Sequence, residues 1–90
     1  DRFYIDLKPL ENLTNLTKIG FYSSNIKNIE PLAKLSKLET LSLMATQVCE
    51  LEPLKELKNL KKLNISSCPN ITDEQIEDLQ KASPNLEIKR

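Results

Sequence analysis

Residues 38–59 read LETLSLMATQVCELEPLKELKN, and the same pattern recurs in the residues that precede and follow this segment. Leucine begins the successive units, at Leu16, Leu38 and Leu60. The same number of residues separates each of these leucines from the next, and we call this spacing the repeat step. A proline recurs at the same step, as Pro9, Pro31 and Pro53. A fixed period of this size is typical of a solenoid, in which each unit buries its apolar face only by stacking on its neighbours.

The start of each unit predicts a β-strand. The alternation in Leu41-Ser42-Leu43 has the period of two expected of a strand with one buried face, and it recurs in 19–21 and 63–65. The phased proline predicts a short helix or 3₁₀ turn, because proline is tolerated at a first helical position. One strand and one short return per unit predict an α/β fold with a single parallel sheet.

The unit that opens at Leu60 is longer and predicts a true helix. Thr72 and Gln75 form a capping box, and Ser83-Pro84 predicts the end of the helix. The acidic residues Asp73 and Glu74 fall in the first turn, where they favour the positive end of the helix dipole. The apolar residues Ile76, Leu79 and Ala82 line one side of the helix. The segment 86–88 then predicts a last short strand. Whether Leu86 is the first or the second leucine of that unit stays open.

The pattern L-x-x-L-x-L-x-x-[S/T/C]-x-I-x-x-I-x-P-L-x-x-L resembles the leucine-rich repeat (LRR) family over nearly the whole chain, from about Leu7 to Leu86. The units at Leu16 and Leu38 resemble the 22-residue repeats of internalin-like proteins. The unit at Leu60 is similar to the cysteine-containing repeat of F-box-type proteins. The resemblance implies a right-handed solenoid with a short parallel sheet on its concave face and short helices or 3₁₀ turns on its convex face.

One column departs from the family pattern. The family usually has asparagine at the turn after the strand, where this chain has Ser24, Thr46 and Cys68. Serine and threonine bond backbone groups more weakly than asparagine does, and cysteine is a poorer substitute. We therefore expect a looser hydrogen-bonded ladder in this column without a change of fold.

The repeat step also defines expected boundaries within a single domain, 1–90. A partial repeat covers 1–15, repeats cover 16–37, 38–59 and 60–85, and a terminal strand covers 86–90. Asp1 falls in the column of Ala45, so the chain starts inside a repeat. We expect the chain to be the C-terminal part of a longer solenoid. The alternatives are that processing removed the beginning of the first repeat, or that a non-repeat cap takes its place. The step further predicts ion pairs between Lys8 and Glu30, Lys34 and Glu56, and Glu39 and Lys61.

Composition argues against several functions. Lys+Arg and Asp+Glu balance at 13 each, which disfavours nucleic acid and anionic membranes as partners. No apolar run is long enough to predict membrane insertion. Cys49 and Cys68 are out of phase with the repeat, which predicts two reduced thiols and favours an intracellular location.

Catalysis is equally disfavoured. The chain has no histidine, and its only glycine is Gly20, so neither a nucleophilic dyad nor a phosphate-binding loop is available. The two cysteines lack metal-site spacing. We expect no enzyme activity, no cofactor and no metal.

The strand positions that point away from the core are the candidate binding site. By the resemblance they form the concave face, which consists of Lys18, Gly20, Tyr22, Thr40, Ser42, Met44, Lys62, Asn64 and Ser66. Tyr22 beside Met44 is the exposed apolar pair, and both residue types are enriched in interfaces. This predicts a protein-binding module, unless another segment covers the pair. The alternative is a structural or assembly subunit, or the capping end of a larger repeat protein, held at the open sheet edge of 18–22.

Overall fold

In the computed structural model, which describes residues 4–22 and 25–90, strands alternate with short helical returns. The strands form one parallel sheet in the order β1-β2-β3-β4. They are β1 (Lys18–Tyr22), β2 (Thr40–Met44), β3 (Lys62–Asn64) and β4 (Glu87–Lys89). Three 3₁₀ helices cover Lys8–Leu10, Glu30–Lys34 and Glu52–Glu56, and the helix α1 covers Asp73–Ala82. The α/β solenoid expected from the sequence is confirmed.

The strand register reproduces the repeat step. Ile19 pairs with Leu41, and Leu41 pairs with Leu63, so each strand residue lies beside its equivalent in the next unit. The N–H of Thr40 donates to the carbonyl of Thr17 at 3.0 Å, and one unit later the N–H of Lys62 donates to that of Glu39 at 3.1 Å. Equivalent residues therefore stack directly, as the aligned sequence predicts.

The last unit keeps the pairing but changes its spacing. Leu63 pairs with Ile88, whereas the repeat step would have placed Asn85 beside it. The N–H of Leu86 donates to the carbonyl of Ser83, in the same i−3 turn in which Leu60 bonds Leu57. Leu86 therefore takes the first-leucine position and Ile88 the second, with one residue fewer between them than in the other units.

The core lies between the sheet and the helices, and it is built from stacked aliphatic columns. The middle units bury these columns almost completely, whereas the first unit does not. Along one column, Leu35 is 0% exposed and Leu57 is 1% exposed, but Leu13 is 48% exposed. The difference follows from position, because Leu35 and Leu57 have a stacked unit on either side.

Each of these 3₁₀ helices has proline at its second residue, one place after the first helical position that the sequence predicts. An i−3 hydrogen bond closes each return; Leu32 donates to Ile29, and Leu54 donates to Leu51, both at 3.0 Å. The central leucine of each of the second and third returns is fully buried. The proline fixes the backbone where the turn begins, and the leucine anchors the turn to the core.

The helix α1 begins at the predicted capping box. The N–H of Gln75 donates to the Thr72 hydroxyl at 3.2 Å, and the Thr72 N–H donates to the Gln75 side chain at 3.3 Å. Leu79 is fully buried and Ile76 is partly buried. The prediction for Ala82 is wrong: it is exposed, because it lies in the last turn, where the helix ends at Ser83.

Two polar contacts attach α1 to the preceding unit. The Gln75 amide donates to the carbonyl of Cys49 at 2.6 Å. The ammonium group of Lys55 donates to the Asp78 carboxylate at 2.5 Å and also lies 3.1 Å from Glu52. The bond from Lys55 lowers the pKa of Asp78, and the bonds to Asp78 and then to Glu52 raise the pKa of Lys55.

In the turn column that follows the strands, the two residues that the structure describes, Thr46 and Cys68, both make hydrogen bonds. The Thr46 hydroxyl and the Cys68 thiol both donate to the carbonyl of Leu43, at 2.9 and 2.8 Å. Thr46 is fully buried. The Thr46 hydroxyl thus closes the turn of its own unit, whereas the Cys68 thiol reaches back to the preceding unit, and Cys68 is not bonded to Cys49. Ser24, the first member of the column, lies outside the described residues, as does Asp1.

Two non-glycine residues in these turns have left-handed backbone conformations. They are Ala45, with φ of 60°, and Ser67, with φ of 59°. The two positions are one repeat step apart, so the turn geometry itself requires this conformation. A Cβ atom is unfavourable there, by about 1–2 kcal/mol per residue.

Of the ion pairs predicted from the repeat step, one forms. Lys61 and Glu39 lie 3.6 Å apart. Lys34 contacts Glu11 at 3.5 Å rather than Glu56. The pair between Lys8 and Glu30 does not form within the described residues. Long exposed side chains can reach several neighbours, so the step does not determine their partners.

We expect Leu35→Ala to lower the free energy of unfolding by about 2–5 kcal/mol, because it opens a cavity in a filled column. Leu13→Ala is the matched control: the same substitution in the same column should cost about 1 kcal/mol or less, since Leu13 is already half exposed. Urea denaturation measures both. Equal losses for the two variants would contradict the stacked core.

We expect Ala45→Gly to raise the free energy of unfolding by about 1 kcal/mol, because glycine adopts positive φ without a steric cost. Ala33→Gly, within the second 3₁₀ helix, is the control and should destabilise by about 0.5–1 kcal/mol. Thermal and urea melts compare the two variants. A loss of stability in Ala45→Gly would show that this turn has another conformation in solution.

The Lys55–Asp78 pair makes stability depend on pH at both extremes. The Asp78 contribution is present above the ordinary aspartate pKa of about 3.9 and is lost as pH falls through its lowered folded value. The Lys55 contribution is present below about 10.4 and is lost as pH rises through its raised folded value.

Asp78→Asn should therefore lower the melting temperature near neutral pH, and the gap to the unsubstituted protein should close as the solution is acidified. Glu77→Gln, at the exposed neighbouring position of α1, is the control and should leave the melting temperature nearly unchanged. A gap that persists at the lowest pH at which the protein stays folded would mean that Asp78 acts otherwise than through its charge.

Candidate functional site

The outward side chains of the sheet stand in straight columns because the strands are in register. Lys18, Thr40 and Lys62 form one column, since Lys18 pairs with Thr40 and Thr40 with Lys62. Gly20, Ser42 and Asn64 form a second column, and Tyr22 pairs with Met44 at the end of β1 and β2. The structure thus brings together eight of the nine residues predicted for the concave face.

Side-chain size and exposure vary across this face. Tyr22 is 71% exposed, and Met44 beside it is half buried. Lys18 and Lys62 are exposed at the opposite end of the strands. Between them lie small or polar residues, and a Cβ built on Gly20 would meet only the Cβ of Ser42, at an ordinary 3.5 Å. The centre of the face is therefore open, with an apolar pair on one side.

Ser66, the ninth predicted residue, does not present its hydroxyl on this face. It lies beyond the end of β3, and its Oγ is buried without a hydrogen-bond partner. Its N–H donates to the Asn64 side-chain oxygen at 2.9 Å. The chain turns at this point and buries the hydroxyl, so the strand alternation that the sequence suggests stops two residues early. The Asn64 amide oxygen is engaged in shaping that turn.

The strand β4 adds two residues that the sequence reading missed. Glu87 pairs with Lys62, and Lys89 pairs with Asn64, which extends the two outer columns by one strand. A shallow depression of about 560 Å³ lies on this part of the sheet, and Ser42, Asn64 and Lys89 are among the residues that line it. The sequence left this register open, because it did not show whether Leu86 is the first or the second leucine of its unit. In the structure Leu86 is the first, and only one residue separates it from Ile88.

The two sides of the molecule differ in charge. The concave face carries three lysines, Lys18, Lys62 and Lys89, against the single carboxylate of Glu87. The opposite side has a depression of about 550 Å³ between the second and third 3₁₀ helices, and four carboxylates against one ammonium group, that of Lys27, line it: Glu30, Glu50, Glu52 and Glu56. The overall charge of zero therefore conceals a separation of basic and acidic surfaces.

Other features of the described residues 4–22 and 25–90 bear on chemistry. They contain no group of three or more cysteine, aspartate or glutamate side chains placed to hold a metal ion. No helix among them is long and apolar enough to cross a membrane. The strand order places β1 at one edge of the described sheet, where the sequence predicts an open edge.

Comparison with known proteins gives matches among solved structures. No protein-family model and no curated protein sequence matches the chain. A leucine-rich repeat protein of Leptospira interrogans superposes with a TM-score of 0.84 at 26% identity, over 97% of this chain and 22% of that one. An internalin, InlF, of Listeria monocytogenes gives 0.81 at 26% identity, over 94% of this chain and 24% of that one.

A second Listeria monocytogenes internalin, InlC2, gives a TM-score of 0.77 at 34% identity, over 92% of this chain and 35% of that one. The chain has an internalin-like leucine-rich repeat fold. It spans between 22% and 35% of the length of these three solved structures. LRR proteins of this kind commonly serve protein–protein interaction and are typically non-catalytic. The similarity of the last unit to F-box-type repeats remains a resemblance in sequence alone.

Proposed function

We propose that this LRR protein is a non-catalytic interaction module that binds a protein partner through its concave face. The observation that carries the proposal is the exposed Tyr22 ring beside Met44, at the border of an otherwise small-residue surface. Aromatic residues and methionine are enriched where interfaces are energetically important. The neighbouring small side chains leave room for a partner to approach the sheet.

The proposed binding site consists of the apolar pair and the polar columns beside it. Its residues are Lys18, Gly20, Tyr22, Thr40, Ser42, Met44, Lys62 and Asn64. Tyr22 and Met44 would supply apolar contact area, and Thr40 and Ser42 would supply adaptable hydrogen bonds. The Asn64 oxygen already bonds Ser66, so Asn64 would contribute chiefly through its amide nitrogen.

Charge favours an acidic partner surface. The three lysines of the concave face outnumber its one carboxylate, and the acidic depression lies on the other side of the molecule. Complementary charges accelerate association and select among partners more than they add affinity. The interaction should therefore weaken as salt concentration rises, through slower association.

A second role, in assembly, has its own supporting observation. The first unit leaves Leu13 half exposed and places β1 at an edge of the described sheet. Such a surface suits the subunit, or the capping end, of a larger repeat structure. In that role the sheet edge rather than the concave face would carry the function.

The proposal is tested by affinity capture from source cells with a Tyr22→Ala/Met44→Ala double variant. We expect the variant to lose a specific partner, because truncation of interface anchors commonly costs about 2 kcal/mol or more each. Circular dichroism and a urea melt establish that the variant is folded.

The matched control is Glu50→Ala/Glu77→Ala, which removes exposed side chains from the opposite side of the molecule and should retain the partner. If the Tyr22→Ala/Met44→Ala variant still captures the partner and the Glu50→Ala/Glu77→Ala variant does not, the partner binds on the convex side. Retention by both variants would remove the concave face from consideration and favour the assembly role.

A further inference from the structure

The depression on the concave face contains hydrogen-bond donors that the fold does not use. It has a volume of about 560 Å³ and lies over β2, β3 and β4, where Thr40, Ser42 and Asn64 line it and are half buried. Within residues 4–22 and 25–90, neither of the two hydroxyls has a hydrogen-bond partner. The Asn64 oxygen accepts from the Ser66 N–H, which leaves the Asn64 NH₂ group as an unused donor. A partner that supplies acceptors would satisfy all three groups.

Two ammonium groups flank these donors. Lys62 begins β3 and Lys89 ends β4, and both are exposed and line the depression. Neither lysine forms an ion pair with another described residue. Because Asn64 pairs with Lys89, the two lysines are diagonal neighbours, with Cα atoms about 8 Å apart. Two cations at this distance, with donors beside them, favour a negatively charged acceptor.

The Glu87 carboxylate restricts where an anion can lie. Glu87 pairs with Lys62, and it is the one acidic side chain among the described residues that line the depression. Its charge repels an anion over the Lys62–Glu87 column, so the favourable position lies toward Asn64 and Lys89, in the next column. A single carboxylate fits this position, whereas the closely spaced phosphates of a polyanion would also meet Glu87.

The apolar pair gives a second fixed point on the same face. Tyr22 and Met44 lie at the ends of β1 and β2, and their midpoint is two strands across the sheet and three residues along it from the midpoint of Lys62 and Lys89. At about 4.8 Å per strand and 3.3 Å per residue, the two points are about 14 Å apart. Four residues of extended chain span this distance, and residues i and i+4 of such a chain face the same side.

On the basis of the concave-face function proposed above, we propose that the partner supplies an extended acidic segment that crosses this face diagonally. An apolar side chain of the segment packs on Tyr22 and Met44. A carboxylate four residues away lies between Lys62 and Lys89 and accepts from the Asn64 NH₂ group. The hydroxyls between the two points bond the backbone of the segment. Two partner side chains at a fixed spacing are thus recognised, rather than acidic charge in general.

The segment is tested by nuclear magnetic resonance titration of the ¹⁵N-labelled whole chain. The probes are two capped peptides in a glycine/serine background, which carry phenylalanine and glutamate four residues apart, one in each order. We expect at least one peptide to give saturable shifts of the Asn64 side-chain NH₂ and of the Tyr22 and Met44 amides, at up to about 5 mM, a range that covers weak binding. No saturable shift of these signals with either peptide would overturn the proposal.

Two matched peptides test charge and spacing. Glutamine in place of the glutamate should weaken binding by about fivefold or more, because the charge-assisted bonds are lost. Glutamate three residues from the phenylalanine should weaken it to a similar extent, because the two side chains then point to opposite faces of the extended chain. Equal affinity for either control peptide would overturn the proposed segment, although binding at Tyr22 and Met44 would still support the concave-face function.

Charge variants test the position of the carboxylate. Lys62→Gln/Lys89→Gln should lose the preference for glutamate over glutamine. Lys58→Gln/Lys81→Gln is its control, because it removes the same charge from exposed positions outside the concave face and should keep the preference. Circular dichroism establishes that both variants are folded.

Lys89→Glu provides a second test of this position that does not depend on loss of binding. It should prefer a peptide with lysine in place of the glutamate, since the sign of the charge beside Asn64 is reversed. If Lys89→Glu still prefers the glutamate peptide, the carboxylate does not lie beside position 89 and the proposal is wrong.

The affinity capture described above separates this proposal from the function on which it rests. We expect Lys62→Gln/Lys89→Gln to lose the same partner as Tyr22→Ala/Met44→Ala. If only the Tyr22/Met44 variant loses the partner, the concave face binds it and the acidic segment is overturned. If both variants retain the partner, the concave-face function and the acidic segment are overturned together.

Discussion

Stacking of one unit on the next is the interaction on which the rest of this structure depends. A single unit, with one strand and one short return, cannot enclose a core of its own. Its aliphatic side chains become buried only when equivalent residues of the neighbouring units lie directly above and below them. The fully buried Leu35 and Leu57, beside the half-exposed Leu13, show how strongly burial depends on having both neighbours.

The stacking also creates the proposed binding surface. Because consecutive strands are parallel and in register, equivalent side chains are arrayed in columns on the outer side of the sheet. The core side of each strand is constrained by packing, whereas the outer side is free to vary. Gly20, Ser42 and Asn64 differ although Ile19, Leu41 and Leu63 are alike in character. The fold thus separates the residues that hold the units together from those available to a partner.

The parts of the structure that were predictable from sequence follow short-range rules or the repeat itself. The strands at 19–21 and 41–43, their register and the Thr72–Gln75 capping box all rest on such signals. The final unit was harder to predict. It is longer than the others, so the repeat step no longer applies, and only one residue separates Leu86 from Ile88, where two separate the corresponding residues of the other units. The register of Ile88 with Leu63 therefore became clear only from the backbone pairing.

Two further misreadings have physical causes of the same kind. Ser66 alternates correctly in the sequence, but β3 ends at Asn64 and the Ser66 hydroxyl is buried. Ala82 has the correct helical spacing, but it lies where α1 ends and nothing covers it. For the concave face, the columns were predictable, whereas the contribution of β4 was not. The identity of a partner depends on surface chemistry that neither periodicity nor packing determines.

The central claim is that the units stack in parallel at the repeat step, and that the longer final unit brings Ile88 beside Leu63. Inter-strand nuclear Overhauser effects between backbone protons test it most directly. The account predicts contacts linking Lys18 with Thr40, Thr40 with Lys62, and Lys62 with Glu87. Contacts displaced by a residue, an antiparallel pattern, or the absence of contacts between the second and third strands would contradict it.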